Sequence, residues 1–297
     1  VTTCTCNHDH APQALTSNQA KRYDPTQTTT LRQQFEGALA KRFRRLKGLI
    51  NETVVNDDGF GLKANRGSFD FPRGADKIGA FMAWLKEQER AGILEISRGV
   101  PLERAADRAW TNVYIRTAYQ RGMAQSAAEL RRQGVSVAPE WVTEAFTRPF
   151  HVDRVGIAAT RVFEELDGIT NAMSQQISRV LADGLAQGRG PMDIARAMND
   201  RVDKIGITRA RMLARTEVVS AHYQASLNTY EEAGVMGIGI KAEIATAQDD
   251  AVCELCEELA TGGPYTIDEA RGLIPAHPNC RCAAIPIVEN PRDVSLR

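Results

Sequence analysis

No run of about 18 apolar residues occurs in this 297-residue chain, so no membrane-spanning helix is expected. The opening residues, Val1 to Cys6, lack the basic-then-apolar order of a secretory signal. Aromatic residues make up only 6%. With Ala, Leu, Arg and Gln abundant over long stretches, that scarcity disfavours a β-sandwich and favours a helical body. There is no net charge, since 37 basic residues balance 37 acidic ones. No cysteine lies between residues 7 and 252, and no internal repeat is evident.

Apolar residues reach 43%, enough for sizeable cores, and the length suits two domains. The zero net charge averages two opposed regions. Between Lys21 and Ile50 eight basic residues face Asp24 and Glu36, whereas from Met236 onward ten acidic residues face five basic ones. The six cysteines form two tight groups. Cys4 and Cys6 stand beside His8 and His10, and Cys253, Cys256, Cys280 and Cys282 surround His277. In a chain made in the cytosol, such clustering points to metal before disulfide.

Residues 1–26 are polar and read as a mobile tail. A helix is expected from near Thr30, where Leu31, Phe35, Leu39, Phe43, Leu46 and Ile50 recur at helical spacing. Its other face carries the basic residues. The Gly- and Asn-rich stretch 56–74 predicts a loop. Asp76 can cap a helix ending near Gly92, and a longer helix is expected from Leu102 to Gln133, stopped by Gly134. A short helix opens at Pro139, another spans His151 to Gln187, and Pro191 starts one through Val202. The last large helix, Arg209 to Ala233, carries the stripe Met212, Leu213, Thr216, Val219, Tyr223, Leu227 and Tyr230. Beyond Gly234 the texture turns β-like, with a CxxC turn between two candidate strands, the second being AAIPIV. The expected fold is therefore mainly α with a small C-terminal zinc-stapled β module. It divides into a tail (1–26), an N-terminal helical region (27–150), a second helical domain (151–235), the β module (236–288) and a C-terminal tail (289–297).

A unit this small rarely buries enough core to hold itself, and a metal would supply the missing constraint. Cys253-x-x-Cys256 brings two thiolates together from one turn, the usual first half of a tetrahedral zinc site. Twenty residues later His277, Cys280 and Cys282 offer three more ligands. Five candidates for four positions leave one spare, with Cys282 the better candidate. A redox pair is disfavoured because the CxxC is not expected at the start of a helix. A complete set of soft ligands leaves no open position for an activated water, so the expected Zn2+ is structural.

HPNCRC at 277–282, the CxxC before it, Asp249 and Asp250, Tyr265, the ARTE run from Ala214 to Glu217, and Gly190 to Met198 (GPMDIARAM) together resemble the phage Mu F-like minor head proteins, the phage head morphogenesis family. The similarity runs over roughly 100–288, best in the last 80 residues, and CTCNHDH (4–10) looks like openings seen in some members. The family's usual large residue before the DD segment is missing in ATAQDD. The resemblance implies a virion protein synthesised in the host cytoplasm and present in few copies. It would act in head assembly with the portal and other capsid or scaffold proteins, with no small-molecule substrate and no enzymatic role.

Other constellations carry expectations of their own. Arg215 and Glu217 are candidates for docking the β module onto the last helix, with Arg281 one possible partner of Glu217. Asp249 can cap the knuckle by accepting backbone N–H bonds. His222 shares a helix face with Arg215, and His151 reads as structural. Cys4, Cys6, His8 and His10 form a possible second metal site. Arg32, Lys41, Arg42, Arg44, Arg45 and Lys47 on the first helix can contact DNA phosphates without sequence preference, or an acidic partner surface. Two alternatives stand beside the structural reading: a nuclease scaffolded by the zinc module, and a non-specific nucleic-acid-binding protein.

Overall fold

A computed structural model describes residues 24–62, 76–95, 109–235, 239–289 and 295–296. Cys4, Cys6, His8 and His10 lie outside these, as do 63–74 of the expected loop and the first residues of the helix expected from Leu102.

The protein is mainly helical with a small C-terminal sheet. The helices are α1 (Thr29–Asn51), α2 (Asp76–Gly92), α3 (Asn112–Arg132), α4 (Trp141–Phe146), α5 (Pro149–Ala186), α6 (Pro191–Arg201), α7 (Thr208–Val235), α8 (Glu254–Thr261) and α9 (Ile267–Ala270). Wider i→i+5 turns, Glu52–Asn56 and Val202–Ile207, extend α1 and join α6 to α7. The strands are β1 (Ser136–Val137), β2 (Ile240–Ala245), β3 (Ala283–Val288) and β4 (Ser295–Leu296). No described helix is long and apolar enough to cross a membrane.

The chain forms two compact units, each drawn from separated stretches. One holds Phe35–Trp110 and Thr160–Leu213. Its core uses the stripe expected of α1, with Phe35, Leu39, Phe43, Leu46 and Ile50 all buried, as are Phe81 and Leu85 of α2 and Leu166, Met173 and Ile177 of α5. Burying each such side chain contributes about 1.5–3 kcal/mol. Trp110 does not extend a helix. Its indole N–H donates to the Ile93 carbonyl (2.8 Å), its ring meets Phe35 edge-on, and the Arg42 guanidinium lies over it at 4.1 Å. These tertiary contacts outweigh local propensity, and α3 begins at Asn112, ten residues after the expected start.

The other unit holds the chain up to Gln34, Thr111–Ala159 and Ala214 onward. Asp24 anchors the start of α1. Its carboxylate accepts from the Thr29 backbone N–H and hydroxyl (both 2.7 Å) and from the Thr26 hydroxyl (2.6 Å), and it pairs with Arg32 at 3.2 Å. Burial pushes this carboxyl up, but Arg32 and the hydrogen bonds outweigh it and hold it below the usual range. Helices α3 and α7 cross at Gly122, where a Cβ would stand 2.4 Å from the His222 carbonyl oxygen and 2.8 Å from the Ala225 Cβ. Nearby, His151 is buried between the Tyr119 hydroxyl (2.9 Å) and Glu232 (3.1 Å), in keeping with a structural role.

The C-terminal sheet pairs β2 and β3 antiparallel, from Ile240 opposite Val288 to Ala245 opposite Ala283. Pro286 sits inside β3 without breaking it. Its partner Ala242 turns its own N–H and C=O to the other edge, where both bond Tyr265 at 2.8 Å. The missing proline donor is therefore not needed. On the outer edge of β3 the Gln133 side chain bonds the Pro286 carbonyl and accepts from the Val288 N–H, blunting an open edge.

Candidate metal centre

The five expected ligands converge. The ligand atoms of Cys253, Cys256 and His277 lie within 4.8 Å of one another, and so do those of Cys256, Cys280 and Cys282. Cys256 is common to both groups. Its sulfur is 3.9 Å from that of Cys280, close to the roughly 3.8 Å that two zinc–sulfur bonds at a tetrahedral angle would span. Cys256, Cys280 and Cys282 are buried, and Cys253 is half-buried.

Local structure explains the convergence. Cys253, in extended conformation, is the N-cap of α8, and Cys256 lies in its first turn. The CxxC therefore straddles a helix start, contrary to the expectation from sequence. Glu254 and Glu257 in the first turn favour a helix N-terminus there. A helix start is compatible with a redox-active pair, but the three further ligands beside it favour metal. The second half of the site is a tight turn. The Cys280 N–H donates to the His277 carbonyl at 3.1 Å, with Pro278 and Asn279 at the two central positions. Asn279 has φ +65°, as the third position of a type II turn requires, and the fixed φ of proline suits the second. This turn brings His277 and Cys280 to the same side.

The tautomer of His277 follows from its neighbours. Nδ1 lies 2.8 Å from the Pro278 carbonyl oxygen, which can only accept, so Nδ1 carries the proton. Nε2 is left with its lone pair facing the Cys256 sulfur at 3.2 Å. Hydrogen bonding of the remote nitrogen to a carbonyl is the usual device that orients a metal-binding imidazole. The thiols are strongly coupled. Hydrogen bonds with Cys256 and Cys282 hold Cys280 well below the usual thiol range, while bonds with Cys280 and Cys282 push Cys256 far up. Without a cation only part of this set can ionise, because several thiolates in one buried site repel each other. A divalent soft-ligand cation removes that conflict, and the donor set fits zinc.

The module is held to α7 by contacts from one helix face. The Thr216 hydroxyl accepts from the Asn279 N–H at 3.3 Å, the Tyr223 hydroxyl donates to the Ala270 carbonyl at 2.8 Å, and the Tyr230 hydroxyl reaches the Ala284 carbonyl at 3.2 Å. Arg271 bonds Asn228 (3.3 Å) and Glu231 (2.5 Å). Val219 and Tyr223 share one buried cluster with Cys256, Cys280, Cys282 and Ile274. Of the expected docking residues, Glu217 is buried and Arg215 half-buried on α7. Thr216, Tyr223 and Tyr230 belong to the stripe expected of this helix, though the sequence named only Arg215 and Glu217 for docking. The hydroxyls among those positions were the signal of docking. Arg281, between two candidate ligands, makes a two-pronged bond to Asp249 (2.6 Å each) that holds the Asp249 carboxyl below its usual range. Asp249 also accepts from the Ala251 N–H at 3.1 Å, the knuckle cap expected of it. His222 is buried with Nε2 3.1 Å from Gln125, and burial pulls it down to about 4, so it stays neutral.

The basic residues of α1 divide. Arg32 pairs with buried Asp24, Arg42 bonds the Gly92 carbonyl (2.6 Å) and Glu95 (2.8 Å), and Lys47 pairs with Asp203 at 2.6 Å. Lys41, Arg44 and Arg45 are exposed, share one face at i, i+3 and i+4, and have no hydrogen-bond or ion-pair partner among the described residues.

Residues 175–285 match the family described as phage Mu protein F like protein. The match starts later than the resemblance read from the sequence and runs to β3. It includes ARTE and all five candidate ligands, and it supports the likeness of this part of the chain to the phage head morphogenesis family. No curated protein and no solved structure matches the chain.

Proposed function

We propose that the chain is a minor head protein of a tailed phage that acts in head morphogenesis at or near the portal, with one structural Zn2+ stapling its C-terminal module. The observation that carries this reading is the family match over 175–285 ending in a five-ligand Cys/His cluster. Cys253, Cys256, His277 and one of Cys280 and Cys282 would hold the ion. A tetrahedral ion with four protein ligands has no open position for water, so the metal holds structure and performs no chemistry. Docked on α7, whose middle is buried, the module it holds then offers its own outer surface to capsid or portal subunits. The test is quantitative mass spectrometry of purified procapsids and virions of the parent phage. The chain is expected in few copies per particle, and absence from both would overturn the reading.

A second contact accompanies this one. Exposed and without a partner among the described residues, Lys41, Arg44 and Arg45 are the basic residues of α1 offered to packaged DNA, since Arg32, Arg42 and Lys47 are engaged within the chain. Duplex binding through three phosphate contacts would fall with salt at a slope near −3 on logarithmic axes. Lys41→Gln with Arg44→Gln and Arg45→Gln should flatten that slope, and an unchanged slope would exclude this face.

A further inference from the structure

Two arginines in the Thr111–Ala159 stretch are laid out in an unusual way. The Arg116 guanidinium of α3 lies over the Phe146 ring at 5.1 Å, and that of Arg154 in α5 lies over Phe150 at 5.3 Å. Neither has a hydrogen-bond or ion-pair partner among the described residues. Each stands one turn from a member of the buried Tyr119–His151 pair, whose rings are 5.8 Å apart. Tyr119 also packs against Phe146, and His151 against Phe150. The two arginines thus flank one aromatic cluster.

Large apolar side chains stand exposed beside them. Val113, one turn before Arg116, is 60% exposed, and Ile157, one turn after Arg154, is 63% exposed. Phe150 is 42% exposed, and Phe150, Arg154 and Ile157 follow one another at i, i+4 and i+7 on a single face of α5. Asp153 is exposed beside Arg154, and Glu144 is exposed two residues before Phe146.

We propose that this face docks an acidic amphipathic helix of a partner protein, with apolar side chains against Val113, Phe150 and Ile157 and carboxylates on Arg116 and Arg154. Stacking fixes each guanidinium plane while leaving its N–H edge open, so a carboxylate gains two parallel bonds at little cost in side-chain freedom. Aromatic and arginine side chains around exposed aliphatic ones match the composition of protein-interface centres. Phosphate backbones would leave the three apolar side chains without a partner, which sets this face apart from Lys41, Arg44 and Arg45 on α1. The inference is independent of the metal centre.

The test titrates the full chain against two labelled synthetic helices, one of Leu and Glu and one of Leu and Lys with the same apolar positions, followed by fluorescence anisotropy. The acidic helix should bind and the basic one should not. Arg116→Gln with Arg154→Gln, and separately Ile157→Asp, should each weaken binding at least about tenfold, with helix content and melting temperature unchanged. Lys41→Gln with Arg44→Gln should leave it intact. Equal binding of both helices, no binding of the acidic one, displacement of it by duplex DNA, or a self-association of the chain abolished by Ile157→Asp would each overturn the proposal.

Discussion

Glu89 of α2 is 2% exposed, and its carboxylate receives the Ser174 hydroxyl at 2.5 Å. Burial raises it from the ordinary 4.5 to about 7, against the smaller lowering from Ser174 and Lys86 and with a small push upward from Asp167. The folded carboxyl therefore holds its proton more tightly than the unfolded one. Its contribution to stability is full below pH about 4.5 and is lost as pH rises through 7, by roughly 3 kcal/mol in all. Glu89→Gln, which imitates the protonated form, should abolish that part of the pH dependence. Denaturant melts at pH 5 and pH 8.5 measure it. Wild type should lose midpoint between the two while the variant changes less, and parallel losses would contradict the assignment. Asn279 supports a second prediction at this scale. Its positive φ is required by the turn between His277 and Cys280. Asn279→Gly should keep zinc affinity, whereas Asn279→Val, strained there by its branched side chain, should weaken it about 10-fold or more in a chelator competition.

Among the helices, the same substitution has opposite signs depending on what the backbone meets. Gly37 lies exposed inside α1 with nothing within 4 Å of a built Cβ, so Gly37→Ala should stabilise the protein by up to about 1 kcal/mol. Gly122→Ala would drive a methyl into the backbone of α7 and should cost about 1–3 kcal/mol. Thermal melts of both variants decide this, and a stabilised Gly122→Ala would show that the crossing is looser than described. The contrast marks what the sequence can and cannot disclose. The α1 stripe, both strands of the C-terminal sheet and the end of α7 near Gly234 follow from periodicity and stop residues, which are local. The late start of α3 was not legible, because Trp110 is held by Ile93, Phe35 and Arg42, far away in sequence. The helix start at Cys253 was masked by the CxxC spacing, which reads as a metal-binding turn, although Glu254 and Glu257 mark a helix N-terminus there. The strand AAIPIV was expected despite Pro286, but how the strand tolerates it shows only in the pairing of Ala242 with Tyr265.

At the scale of the molecule, the candidate metal ligands were legible because each half of the cluster has a short spacing, and the last helix was legible as the one that receives the module, but not the residues on it that make the contacts. Tyrosines 223 and 230 have the spacing of core residues, and only their hydroxyl partners in residues 270 and 284 show the docking. Metal binding to a module of this size is folding free energy, so removing the ion should loosen residues 239–289 while most of the helix signal persists. Limited proteolysis with and without a strong chelator checks this, and an unchanged cleavage pattern would argue against a staple. The central claim is met most directly by native mass spectrometry of the purified chain. The account predicts one zinc ion bound at the C-terminal cluster, retained when residues 1–23 are deleted and lost in Cys256→Ser. A chain that keeps its fold and carries no zinc after preparation in zinc-replete buffer would contradict it.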